Sequence, residues 1–335
     1  MNVLTNFRAM CALVLLTLSF AANAQSPDYR FIKKIPLEGN GKWDYLKMDG
    51  ERERLFVSHG DQVHVIDLNT DKQIGVIKNL KGVHGIALAK AEGKGYITNG
   101  TDNTVTIFDY NTFNVIKTLA ISGKKPDAII YDSFSKSIIA FCGASSNAVV
   151  ISVPKNEEIG TISLDGAPEF AVSDGKGMIY NNLEDKSEVL AIDITKMQVV
   201  KRFSLKPNMA PTGITMDNVT NRLFVTCNDS HTLAVLNADN GNMVSTLPIG
   251  KNVDAVIFDK DAKLIAASNG EGTITLIKLI DANTYKVVQT LKTNPGCKTM
   301  VHRGTTHNLF LSSAEMEGKT IKPGTFGVYV YGPGK

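Results

Sequence analysis

From Tyr29 onward the chain alternates short apolar runs with polar turns, and the runs recur on a steady beat. Gly95-Tyr-Ile-Thr-Asn99 reads as a strand, Gly100 to Asn103 as a tight polar turn and Thr104 to Phe108 as a second strand. Asp109 opens the next turn, and Val115 to Ile121 reads as a third strand. His84-Gly-Ile-Ala-Leu88 supplies an apolar strand ahead of them, so one unit holds four strands in about 40 residues. Such a unit is one blade of a β-propeller.

Aligned copies begin their first strands at Asp44, His84, Asp127, Glu169, Thr212, Asp254 and Lys298, at intervals of 40 to 44 residues. The second strands follow at Leu55–His59, Gly95–Asn99, Ile138–Cys142, Met178–Asn182, Leu223–Cys227, Leu264–Ser268 and Leu309–Ser313. Third strands end near Asp67, Asp109, Ser152, Asp193, Asn237, Asp281 and Tyr331. Only six copies continue into a fourth strand such as Val199-Val-Lys-Arg-Phe-Ser-Leu205. The missing one lies at the other end of the chain, where Phe31-Ile-Lys-Lys-Ile-Pro-Leu37 repeats that pattern. The expected fold is all-β: a seven-bladed propeller whose last blade is closed by the N-terminal strand, burying Phe31, Ile32 and Ile35 and hiding the largest free edge.

Tyr96-Ile-Thr-Asn99, with the degenerate copies Phe56-Val-Ser-His59 and Phe224-Val-Thr-Cys227, resembles the motif of the YVTN β-propeller repeats. In register over about 300 residues, the seven copies make the chain similar to the YncE-like bacterial members. The resemblance implies a secreted or periplasmic seven-bladed propeller. It implies no activity, since the motif builds a strand and a turn.

Residues 1–24 read differently. Arg8 is followed by an apolar run to Ala21, and Ala22-Asn23-Ala24 places small residues ahead of a cleavage point before Gln25. This is the pattern of a secretory signal peptide, too short for a membrane anchor, and residues 25–335 are then the propeller of a periplasmic or secreted protein. Cleavage would remove one Arg, leaving 35 basic residues against 33 acidic ones, a balance that calls for no polyanionic partner. Cys142, Cys227 and Cys297 would remain, an odd number in alternate blades, so no disulfide is expected between them. Cys142 and Cys227 read as buried small hydrophobes and Cys297 as the more exposed thiol.

Positions shared by the copies read as scaffold. Asp49, Asp132, Asp174, Asp217 and Asp259 after the first strands, and Asp67, Asp109, Asp193 and Asp281 after the third, suit turn caps that accept backbone N–H groups. Chemistry is expected where the copies differ at one rim of the disc, around the channel at Asp44, His84, Asp127, Glu169, Thr212, Asp254 and Lys298. Just outside come His59, Asn99, Cys142, Asn182, Cys227, Ser268 and Ser313. Blade seven adds the long turn Ala314–Thr325, carrying Glu315 and Lys319, on the same side as Trp43.

The reading is a non-enzymatic envelope protein that binds a small ligand or a protein partner on this rim, through Trp43, Asp44, His59, His84, Asp127, Glu169, Asp254, Lys298, Glu315 and Lys319. No cofactor motif is present: Cys-x-x-Cys-His, a Gly-rich phosphate loop and the Trp-rich pattern of quinone propellers are all missing. A monomer without a membrane anchor is expected. One alternative is a lactonase-like hydrolase with a divalent metal at the channel mouth. A weaker one is single-stranded nucleic acid binding, which a single Trp and a near-neutral charge disfavour.

Overall fold

A computed structural model describes residues 28–39, 41–318 and 320–334, so the segment read as a signal peptide lies outside the described residues. Seven four-stranded antiparallel sheets are arranged as the blades of a propeller, with a two-stranded hairpin beside blade seven. The innermost strands are Trp43–Asp49, Val83–Ala89, Pro126–Asp132, Pro168–Ser173, Pro211–Asp217, Val253–Asp259 and Met300–Arg303. Among the described residues the only helical turns are Lys90–Glu92 and Gly143–Ser145, both 3-10, and no helix is long and apolar enough to cross a membrane.

The burial pattern explains the sequence pattern. Second strands are covered on both faces by the neighbouring blades, so all six residues of Ser137–Cys142 and of Leu264–Asn269 are buried and the strands read as continuous apolar runs. Fourth strands form the outer wall, and Val115–Ala120 is almost wholly exposed. Seven apolar clusters fill the seven interfaces between adjacent blades, one each. Stability is therefore distributed around a ring, which is sound only if the ring closes.

Closure is made as the repeats require. Tyr29–Pro36 pairs antiparallel with Gly327–Pro333 on the outside of blade seven. Ile35 is buried as expected, but Phe31 and Ile32 are 52% and 45% exposed, and Tyr29 and Leu37 are buried in their place. A register shift between Phe31 and Lys33 turns the inward face over to this second set. Tyr29 joins the cluster between blades six and seven, while Ile35 and Leu37 join the one between seven and one. Gln289 of blade six also brackets the Tyr29 backbone, its Oε1 accepting from N at 2.9 Å and its Nε2 donating to O at 2.8 Å.

Eight of the nine aspartates read as turn caps do that work. Asp67, Asp109, Asp193 and Asp281 accept backbone N–H groups after third strands, and Asp132, Asp174, Asp217 and Asp259 do so after first strands. Asp49 is the exception. Its buried carboxylate accepts from Arg54, its direct partner on the adjacent strand, at 3.0 and 3.1 Å, from Tyr110 Oη at 2.5 Å and from Lys90 Nζ at 3.1 Å.

Candidate functional site at the channel mouth

The first strands all enter the disc at one rim, and the residues that open them converge on the channel mouth. Side chains of the second strands, and Thr299 just ahead of the first strand of blade seven, hold these openings in place. Thr98, the threonine of the Tyr96–Asn99 motif, is buried and donates to Asp127 O of the next blade at 2.6 Å, while Gly85 N donates to its hydroxyl at 2.8 Å. Ser268 Oγ binds Lys298 O at 2.5 Å, Asn181 Nδ2 binds Glu169 O at 3.0 Å, and Thr299 Oγ1 of blade seven binds Asp44 O at 2.6 Å. The recurring threonine or serine is thus a device for fixing the backbone beneath the variable mouth side chains.

At the mouth His84 Nδ1 lies 2.6 Å from Asp44 Oδ2 and 3.6 Å from Asp127 Oδ1, bringing together side chains of blades one, two and three. Beside them, from blades six and seven, Lys298 Nζ pairs with Asp254 Oδ2 at 2.5 Å. Burial opposes charge on His84, yet the hydrogen bond to Asp44 and the negative charges of Asp127 and Asp44 outweigh it and raise its pKa. Burial, reinforced by Asp44, pushes Asp127 up to about 6; burial, reinforced by Asp127 and Asp254, pushes Glu169 up to about 9. Asp254 is also raised, by burial that outweighs Lys298. At neutral pH the mouth therefore holds a protonated Glu169 beside the His84–Asp44 and Lys298–Asp254 contacts.

Below the acids Tyr45 of blade one and Phe170 of blade four meet, their ring centroids 4.5 Å apart. The residue after each mouth position reads Tyr45, Gly85, Ala128, Phe170, Gly213, Ala255 and Thr299, so two aromatic rings among small residues was the available signal for this floor. Beneath it an axial cavity of about 170 Å³ contains Lys47 among apolar side chains, and burial, with Lys90 nearby, lowers that lysine's pKa. Neither feature was anticipated from the sequence.

The outer ring does not line the mouth. His59, Asn99, Cys142, Asn182, Cys227, Ser268 and Ser313 are all buried, since each second-strand end is covered by the adjoining blade. Thr212 is buried too, its hydroxyl donating to Val253 O at 3.0 Å. Cys297 is fully buried, contrary to expectation, packed between blades six and seven with its thiol pushed up to about 12 by burial. Cys142 and Cys227 are buried as expected, and the three thiols are unpaired.

Trp43 forms part of the rim wall, its Nε1 donating to Gly296 O at 3.2 Å and its ring 5.8 Å from Phe326. Together with Lys42, Asp44, Gly82, His84 and Lys298 it lines a groove of about 550 Å³ leading to the mouth. The blade-seven turn folds away from this groove into a hairpin, Met316–Glu317 with Thr320–Ile321. It makes a separate pocket of about 350 Å³ over Gly39, Gly41, His59 and Phe326. Glu315 pairs with Lys322 at 3.1 Å, so it serves the hairpin, and Lys319 lies outside the described residues. His59 stacks on Phe326 at 3.7 Å and lies 3.3 Å from His64, and burial, with the His64 charge, lowers its pKa to about 4.

No family model and no curated protein matches the chain. Solved structures do. The RRP9 WD40 repeats are similar with a TM-score of 0.77 at 9% identity, covering 92% of this chain and 99% of that one. A chain of Kuenenia stuttgartiensis hydrazine synthase is similar with a TM-score of 0.72 at 14% identity, covering 82% of this chain and 94% of that one. The chain is a seven-bladed β-propeller. At such identities the likeness is one of fold.

Proposed function

We propose that this is a non-enzymatic, YncE-like propeller of the bacterial envelope that binds a small, positively charged ligand at the mouth formed by its first strands. The observation that carries the reading is the convergence of Asp44, His84 and Asp127 from three blades, with Asp254 and Lys298 beside them, above an aromatic floor. Acids held close together and raised in pKa are unfavourable for folding, and a bound cation relieves that cost. The hydrolase alternative would use the same side chains as its metal set and shares the fate of the metal test below.

A thermal-shift panel of diamines, amino sugars and divalent salts tests the proposal. Stabilising compounds should lose their effect on a chain carrying Asp127→Ala and Asp254→Ala together. Stabilisation that survives both changes would place binding elsewhere.

A further inference from the structure

We propose that Asp44, His84 and Asp127 form a binding site for a divalent transition-metal ion of the zinc class. The inference rests on the reading of the mouth as a receptor and names its ligand. One imidazole nitrogen and two carboxylate oxygens, one from each of three successive blades, lie within 4.8 Å of one another. Ligand atoms around a tetrahedral zinc ion, bonded at about 2.0 to 2.2 Å, stand roughly 3.3 to 3.6 Å apart. The 3.6 Å separation of His84 Nδ1 and Asp127 Oδ1 is already of that size. The 2.6 Å contact between His84 and Asp44 is a hydrogen bond, and a cation that replaces its proton needs that pair to open by about 1 Å.

A second observation is independent of the acids' proximity. Asp127 Oδ1, the atom aimed at His84, is cut off from solvent and has no hydrogen-bond partner. An orphaned carboxylate oxygen costs stability, and a metal bond would satisfy it. The ligands are also held in position. Thr299 and Thr98 fix the Asp44 and Asp127 backbones, and the His84 ring rests on Gly100, where a Cβ would stand 2.8 Å from both Cδ2 and Nε2. Gly100 does not have a left-handed backbone, so its lack of a side chain serves this contact. A mixed nitrogen and oxygen set of three leaves one position for water and suits zinc, cobalt or nickel. Calcium, which takes six to eight oxygens, fits it poorly.

The test is calorimetric titration of the chelator-stripped full chain with ZnCl2, CoCl2 and CaCl2. The expected result is one zinc site per chain, at least tenfold tighter than calcium, weakened at least tenfold by Asp127→Asn and by His84→Gln. His307→Asn, on the opposite face, should leave it unchanged. Bound cobalt should show visible d–d absorption that shifts or disappears in the His84→Gln chain, a readout that needs only a folded protein. Absence of zinc binding, or zinc binding equal in the parent and both variants, overturns the assignment. If zinc fails while organic cations of the panel still depend on Asp127 and Asp254, the metal assignment falls and the receptor reading stands; if both fail, both are wrong.

Discussion

A chain that begins at Gly39 lacks the strand that closes the ring, and the structure allows the consequence to be sized. Seven register pairs with Gly327–Pro333 are lost, which removes about five ladder hydrogen bonds at about 1 kcal/mol each. Tyr29, Ile35 and Leu37 lose their burial in two different blade interfaces, at about 2 kcal/mol each. The total, about 10 kcal/mol, is comparable with the net stability of a whole domain, roughly 5 to 15 kcal/mol. Urea unfolding followed by far-ultraviolet circular dichroism and by fluorescence is the assay, because Trp43 is the only tryptophan and sits against Phe326 at the closing interface. The shortened chain should show no cooperative transition and a solvent-exposed Trp43. Point substitutions refine the test: Tyr29→Ala should cost about 3 kcal/mol, whereas Phe31→Ala should cost under about 1 kcal/mol because that ring is half in solvent. An unfolding midpoint and slope equal to those of the parent after removal of the strand would refute the closure argument.

Two further outcomes follow from the buried charges. Glu169 has a folded pKa raised from 4.5 to about 9, so the folded state keeps a proton the unfolded state has lost, and this group's contribution falls as pH rises between those values. Glu169→Gln should therefore be more stable than the parent at pH 8, on the order of 2 kcal/mol, with the difference vanishing in acid below the unfolded pKa. Melting curves across that range check it, and parallel curves for the two chains would count against it. Arg54→Ala removes one partner of the buried Asp49 carboxylate and should cost about 3 kcal/mol or more in urea unfolding, while Asp109→Asn at an exposed cap should leave the unfolding midpoint close to the parent's.

The blade count, the strand order and the closing strand were legible because each repeat position meets the same surroundings seven times, so one pattern is written over and over. The identity of the inward residues on the closing strand was not. Phe31 and Ile32 are the more apolar pair, but a register shift hands the inward face to Tyr29, Ile35 and Leu37. Asp49 read like its eight counterparts because the guanidinium that captures it comes from Arg54, and nothing in a turn pattern reports that. At the mouth the sequence identified the ring of first-strand residues but could not distinguish them from the second-strand ends. Adjoining blades bury His59 and Asn99, and leave Asp44, His84 and Asp127 at the opening. The sequence reading spread the acids evenly around the axis, whereas the structure gathers Asp44 and Asp127 about one imidazole and pairs Asp254 with Lys298.

The most direct test of the mouth as the receptor is carboxyl footprinting by mass spectrometry, with and without the compound that stabilises the protein most in the thermal-shift panel. Labelling of Asp44, Asp127 and Asp254 should fall when the compound is present, while Asp174, Asp261 and Asp281 on the opposite face should label as before. Protection confined to that opposite face, with the mouth carboxylates labelling unchanged, would contradict the account.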